Sequence, residues 1–343
     1  MKIVKSSCSS YCLKFKQPFS TSKGEITERR GFLIKLFSES GKRGYGDCCP
    51  LSDFGSESYE QVEQMLREFQ LKIIIDLDDI ERSLLKTLEP LNNYPTLKHG
   101  FEQALLNLIS REQNISLNEI LNASSKSIIN VNAAIPFFNP KKSATIAKEF
   151  VGRGFETLKL KVGRDKFEED FECVKSVRES VGDDIKIRLD ANGKWNLEEA
   201  SENLNKLEKF SIEYVEQPVN KIEDYLKLGK NTSIPLAADE SIRTLKDVYD
   251  FVSQKAISIL ILKPMMLGGI IPTLKIIEFA EENNVKSVIT TSLDSVIGRS
   301  FAVLAASFVK DEIAHGLATA DLFESDLYPD PYPVKNGIIS LSK

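Results

Sequence analysis

Six charged residues, placed at or near the ends of five short apolar segments, are the ones in this chain whose types and spacing could do chemistry. Three are acids: Asp190 in Ile185-Lys-Ile-Arg-Leu-Asp-Ala-Asn192, Glu216 closing Ile212-Glu-Tyr-Val-Glu216, and Asp239 in Pro235-Leu-Ala-Ala-Asp-Glu240. Three are lysines: Lys159 and Lys161 in Thr157-Leu-Lys-Leu-Lys161, and Lys263 at the end of Ile257-Ser-Ile-Leu-Ile-Leu-Lys263. Three carboxylates gathered at one face repel one another, and a divalent cation resolves the conflict. With no His or Cys beside them, the oxygen donors suit Mg²⁺, with Mn²⁺ as a substitute. Salt bridges to Arg188, Lys159 or Lys263 are the alternative. A substrate carboxylate on the cation would lie between the lysines. Cationic neighbours and desolvation lower a lysine's pKa, so one lysine can act as a base on the adjacent carbon. The metal would then stabilise the enediolate.

This chemistry needs elements that bring the residues together. Each segment has the length and β-branched content of a buried strand, and helical patterns of roughly 12–18 residues separate them. Repeated strand–helix units predict a parallel sheet, and charges at the C-terminal strand ends predict a site on that face of a barrel. In Leu158-Lys-Leu-Lys161 the leucines share one face and the lysines the other, so Lys159 and Lys161 point inward. A solvated face of an antiparallel sheet gives the same alternation in a single segment, but not in five segments interleaved with helices.

The remaining barrel strands are expected at Ile128–Ile135 (first), Lys286–Ser292 (seventh) and Glu312–Leu317 (eighth). Residues 1–97 read as a small α+β domain: an antiparallel sheet containing Phe32–Phe37, then helices over Ser58–Phe69 and Asp78–Leu88. Residues 98–320 read as the barrel, although the helix over Thr96–Arg111 begins just before it. Residues 321–343 read as a tail packing back on that first domain. The polar stretch Phe19–Gly24 is either a lid or an ordinary hairpin connection.

Of 343 residues, 42% are apolar and 28% charged, which is ordinary for a soluble globular protein. A net charge of −5 argues against nucleic acid as a partner. No stretch approaches the about 18 apolar residues of a membrane span, and the N-terminus lacks the apolar run of a signal peptide. Five cysteines and two histidines show no zinc spacing and read as free thiols in a reducing cytoplasm.

The set Lys159-Leu-Lys161, Asp190-Ala-Asn192, Glu216-Gln-Pro218, Asp239-Glu-Ser241 and Lys263-Pro resembles the enolase superfamily in its muconate-lactonising subgroup. That resemblance implies a modified TIM (β/α) barrel with an N-terminal α+β capping domain. It implies Asp190, Glu216 and Asp239 as metal ligands, and Lys161 as base with Lys263 its counterpart on the opposite face. Lys159 would tune Lys161 and help hold the substrate, a small carboxylate; Asn192 and Glu240 would support the ligands from behind. Thr21-Ser22-Lys23-Gly24 resembles the family's mobile capping loop, and Lys42–Pro50 its second one. Arg188, Thr291-Ser292-Leu-Asp-Ser295 and His315-Gly316-Leu-Ala-Thr-Ala-Asp-Leu322 resemble the o-succinylbenzoate synthases, Mg²⁺-dependent hydro-lyases of menaquinone biosynthesis. They bring in Arg188, Thr21, Ser22, Gly24, Ser292, Ser295 and Gly316 as candidate substrate contacts. Ser292 and Ser295 are equally well read as loop-capping hydroxyls, and His315 as structural. The alternative is a dipeptide epimerase or N-succinylamino-acid racemase with the same metal and lysines. Dipeptide epimerases hold the substrate amino group with Asp-x-Asp near the eighth strand; here that region is Ala318-Thr-Ala-Asp321, with one acid.

Overall fold

A computed structural model of the chain describes residues 1–21, 24–71, 74–122 and 124–341. Its centre is a curled parallel sheet of seven strands in the order β11-β10-β9-β8-β7-β6-β5. These are β5 (Ala133–Ile135), β6 (Thr157–Lys161), β7 (Lys186–Asp190), β8 (Ile212–Glu216), β9 (Leu236–Ala238), β10 (Ile259–Leu262) and β11 (Lys286–Ile289). Their outward side chains, such as Leu158, Leu160, Ile187 and Leu189, are buried under the connecting helices. Those helices are α5 (Pro140–Gly152), α6 (Phe167–Val181), α7 (Leu197–Leu207), α8 (Ile222–Leu228), α9 (Leu245–Ser253), α10 (Ile270–Glu282) and α11 (Val296–Ser307). Local signals set several of their starts: Asn196 with Glu199 and Thr244 with Asp247 form reciprocal capping boxes. This is the half-open form of the expected barrel.

Two expected strands are corrected. Ile128–Ile135 is not one strand. Its first half, β4 (Ile128–Asn130), turns away to pair antiparallel with β13 (Ile338–Ser340), itself paired with β12 (Val334–Lys335). Only β5 enters the barrel. The eighth strand does not form: the seam is closed by two single parallel bridges, Val131 to His315 and Thr290 to Gly316. His315 is spent there. Its Nδ1 accepts from Ile289 N at 3.0 Å, and burial keeps the ring neutral, with a pKa of about 3. The tail first lies on the cap, the Phe323 ring tilted against that of Phe15 at 4.7 Å between centres and Glu324 N donating to Lys14 O. It then leaves the cap to form β12 and β13.

The cap is the sheet β1 (Ile3–Thr21), β2 (Gly24–Ser38) and β3 (Arg43–Cys48), with α1 (Tyr59–Glu68), α2 (Ile80–Leu88), the long α3 (Pro95–Gln113) and the short α4 (Leu117–Ile120) following. The sequence boundary at 97 cuts α3 near its start, and α3 lies on the cap sheet. Gly44 and Gly46 permit this: a Cβ at Gly46 would run into the Gly100 carbonyl, and one at Gly44 into that of Ala104. The β1–β2 ladder continues to Thr21 opposite Gly24, so the stretch 19–24 is hairpin rather than open loop up to that pair. Ser22 and Lys23, the middle of the expected capping loop, lie outside the described residues. Most of the expected second capping loop is strand β3. No helix among the described residues is long and apolar enough to cross a membrane.

Candidate active site

The strand registers explain why the charged residues meet. Lys161 pairs with Asp190, Asp190 with Glu216, and Glu216 with Ala237, two residues before Asp239. Side chains on one register row of a parallel sheet share a face, so Lys161, Asp190 and Glu216 form one inward tier. Lys159 lies one tier lower and reaches up to both acids, 2.6 Å from Glu216 and 3.1 Å from Asp190. Lys263 stands just past β10 and pairs with Asp239. Lys161 forms no ion pair within 4 Å with a described residue, which sets it apart from the other two lysines.

The electrostatics follow from burial and crowding. Burial pushes Glu216 up to about 8, with Asp190 and Asp239 adding to the rise and Lys159 opposing it. Burial acts the same way on Asp190, but Lys159 and Lys161 outweigh it and hold that carboxyl below its ordinary range. Burial would lower Lys159 and Lys263; the carboxylates around them outweigh it, so both are held as ammonium groups.

The donor set fits a hard divalent cation. Asp190, Glu216 and Asp239 are buried oxygen donors on three successive strands, and both histidines lie elsewhere, in α3 and at the seam. Two further buried oxygens beside them, Asn192 Oδ1 and Glu240 Oε2, have no hydrogen-bond partner. Among the described residues no three such side chains converge on one point, because the carboxylates are turned to Lys159 and Lys263. Asn192, at φ +44°, donates to Glu240 at 2.8 Å, so both expected supporting residues lie against the acids.

Gln217 is a positioning residue that sequence reasoning did not single out. It is fully buried at φ +44°, a left-handed conformation that non-glycine residues seldom adopt. Its Oε1 accepts from Asp239 N at 2.9 Å and Ser241 N at 3.2 Å, while Nε2 donates to Val219 O and Ser241 Oγ. One amide thus ties the Glu216 strand end to the Asp239 turn. The Glu-Gln-Pro triplet was the available signal.

The expected substrate contacts divide. Arg188 is fully buried in the barrel wall: Nε binds Glu213 at 2.6 Å, Nη1 donates to Ala314 O at 2.7 Å and Asn132 Oδ1, and the guanidinium lies 4.7 Å from the Tyr214 ring centre. These bonds brace the seam where an eighth strand would run, while Arg188 Nη2 is buried without a hydrogen-bond partner and, like Ser292 Oγ, remains available to a ligand. Gly316 is also a seam residue, its N–H donating to Ile289 O. Ser295 caps α11 and gives its hydroxyl to Asp47 of the cap at 2.7 Å. Ser292 Oγ is buried without a partner and remains available to a ligand. Gly24 lies in the hairpin opposite Thr21. From the cap, Phe54 and Gly55 meet Asp239, Glu240, Arg243 and Lys263 around a cavity of about 60 Å³.

Asp294 was also missed. It is buried between Arg29 and Asp47 near Lys263, accepting from Ser292 N at 3.0 Å. Burial, then the Asp47 charge, pushes it up to about 7. The folded chain therefore binds this proton more tightly than the unfolded chain, where the pKa is about 3.9. The stability it contributes is present below about pH 4 and is lost as pH rises through about 7. Asp294→Asn cannot ionise. Its urea-unfolding free energy should improve relative to wild type by about 2–4 kcal/mol between about pH 4 and pH 8; a gap constant across that range would refute the assignment.

The geometry is that of a barrel with buried acids and lysines gathered at the C-terminal ends of its strands, and comparison with known proteins places it in a family. Residues 142–343 match the family model described as Enolase C-terminal domain-like, and residues 4–108 match that of MenC, N-terminal domain. The chain belongs to the enolase superfamily. It is 30% identical to a D-Ala-D/L-Ala epimerase of Cytophaga hutchinsonii over 95% of this chain and 88% of that one. It is 31% identical to an o-succinylbenzoate synthase of Thermobifida fusca over 64% of this chain and 69% of that one. The structure of a dipeptide epimerase of Enterococcus faecalis V583, complexed with Mg and L-Leu-L-Tyr, superposes with a TM-score of 0.91 at 26% identity, covering 100% of this chain and 98% of that one.

Proposed function

We propose that the chain is an o-succinylbenzoate synthase: a carbon–oxygen lyase that removes water from the succinyl-hydroxy-cyclohexadiene carboxylate precursor in menaquinone biosynthesis. The observation that carries this reading is at the barrel seam. Asp321 is exposed, and two residues before it stands Thr319, whose hydroxyl is bonded to Thr291 at 3.1 Å. No acid pair is there to hold a substrate ammonium group. The MenC N-terminal match over residues 4–108 supports the same reading.

Asp190, Glu216 and Asp239 would hold Mg²⁺, or Mn²⁺ in its place, and the cation would supply fixed positive charge where negative charge builds on the substrate carboxylate. Lys161 takes the proton from the carbon next to that carboxylate. The resulting ammonium then protonates the hydroxyl leaving from the same face. A C–H and a C–O bond break, a C=C bond forms, water departs and Lys161 is regenerated. Lys263 and Lys159 keep their protons and act by charge.

The second reading is a dipeptide epimerase or N-succinylamino-acid racemase. It is favoured by the near full-length similarity to the Cytophaga hutchinsonii epimerase and by lysines on both sides of the mouth. One side-by-side assay separates the two: the dehydration substrate against a panel of dipeptides and N-succinylamino acids. We expect o-succinylbenzoate to form and dipeptides to turn over slowly or not at all. Efficient dipeptide epimerisation with no dehydration would reverse the order.

A further inference from the structure

Helix α10, which follows the Lys263 turn, starts without a cap of its own. Its N-cap is Gly269, which has no side chain to accept the first-turn amides. The acceptor comes from α3: the Glu102 carboxylate takes the Ile270 amide on one oxygen and the Ile271 amide on the other. Glu102 is 2% exposed, and burial pushes its carboxyl up to about 8 against the pull of these amides and Lys98. Gly269, at φ +141°, is shaped around it, since a Cβ there would run into the Glu102 carboxylate. Residues 264–269, between β10 and this cap, fold back on themselves. The Lys263 carbonyl accepts from Met266 N at 2.9 Å and Leu267 N at 3.0 Å, and the Pro264 carbonyl accepts from Gly269 N at 2.9 Å. Lys263 is therefore bonded to a turn whose far end is held by the cap's helix. The neighbouring Gln103 does the equivalent on α11, donating to Ile297 O at 2.6 Å while accepting from Asp47 N.

We propose that Glu102 is a positioning residue for Lys263, holding the turn over residues 263–269, and with it the Lys263 ammonium, at the height the reaction requires. This rests on the reading that Lys263 acts in the reaction. A group that works only on the transition state is sensitive to its distance: a shift of about 1 Å can cost on the order of a hundredfold. Loss of positioning therefore falls on kcat and spares KM.

The test uses the full chain with Mg²⁺ and four variants: Glu102→Ala, Glu102→Gln, Gly269→Ala, and Glu102→Ala combined with Gly269→Ala. Glu102→Ala should lower kcat by on the order of ten- to a hundredfold, with KM within about twofold. Amide hydrogen exchange over residues 263–271 should rise, and Mg²⁺ affinity by calorimetry should stay within about twofold of wild type. Glu102→Gln keeps an acceptor oxygen in place and should recover most of kcat. Gly269→Ala displaces the carboxylate from the other side, so the double variant should be no worse than the worse single one. An unchanged kcat despite faster exchange overturns the proposal. So does a parallel loss of kcat, KM and Mg²⁺ affinity, which would make Glu102 a general packing group. Exchange is read without turnover: a wild type inactive on every substrate offered sinks the functional reading, whereas unchanged exchange over 263–271 sinks this one.

Discussion

Lys161→Ala is expected to abolish dehydration, with kcat down by about 10²–10⁴-fold, the usual contribution of a positioned acid–base group. Mg²⁺ affinity and folding should be intact. The argument is positional. Lys161 shares a tier with Asp190 and Glu216, so it stands beside the place a substrate carboxylate must occupy, and it is not committed to an ion pair as Lys159 and Lys263 are. Lys263→Arg keeps the charge but changes its shape, and should retain a trace of activity. A non-eliminating carbon acid, such as an N-succinylamino acid, offered in deuterated water separates the roles. Uptake on the Lys161 side should depend on Lys161 and survive Lys263→Ala better than dehydration does. If Lys161→Ala dehydrates at near the wild-type rate, the base has been misassigned.

Removing the cation should have an equally large effect. Chelation should eliminate activity and added Mg²⁺ should restore it, because on the proposed reading Asp190, Glu216 and Asp239 are the ligands and the ammonium groups beside them cannot bring a substrate carboxylate into the tier as a divalent cation would. Glu216→Gln keeps the side chain's shape while removing its charge. It should therefore fold like the wild type yet bind Mg²⁺ far more weakly. Unfolding reports this without any turnover: Mg²⁺ at a hundredfold excess over its Kd stabilises a folded chain by about 2.7 kcal/mol. The wild type should show that gain and Glu216→Gln should not. Full activity in a metal-free preparation would rule out the assignment.

How much of this was legible beforehand depended on whether the signal was local. The alternation in Thr157–Lys161 and the acids ending the next strands announced the inward tier, because strand pairing preserves faces and registers. The helices between the strands were legible as patterns, but their starts at Asn196 and Thr244 were fixed only by the capping boxes the structure shows. The splitting of Ile128–Ile135 was not: both halves are apolar, and what draws β4 away is β13, some 200 residues on in the sequence. Arg188 stood out because it precedes Asp190 by two, but the bonds of its other nitrogens to Ala314, Asn132 and Glu213 were not legible, since those residues come from three separate segments. Ser295 was legible as a capping hydroxyl, but its bond to Asp47 was not, and Asp294 was hidden because the charges facing it, Asp47 and Arg29, come from the cap. Gln217 was quoted as part of a motif, but only the left-handed backbone showed what its amide does.

The seam sets how freely this enzyme can change. A barrel strand is bound on both sides by a full ladder, so altering it disturbs its neighbours. From His315 to Leu317 the segment is held by the two bridges, the Arg299 guanidinium on the Leu317 carbonyl at 2.8 Å and the complete burial of the Leu317 side chain, whereas residues 318–321 are partly or fully exposed. Substitutions at 318–321 should therefore disturb little packing, while the tier of Lys161, Asp190 and Glu216 is locked by adjacent registers on β6, β7 and β8. The architecture thus separates a tier held by continuous ladders from an edge over residues 318–321 where a substitution meets few packed neighbours.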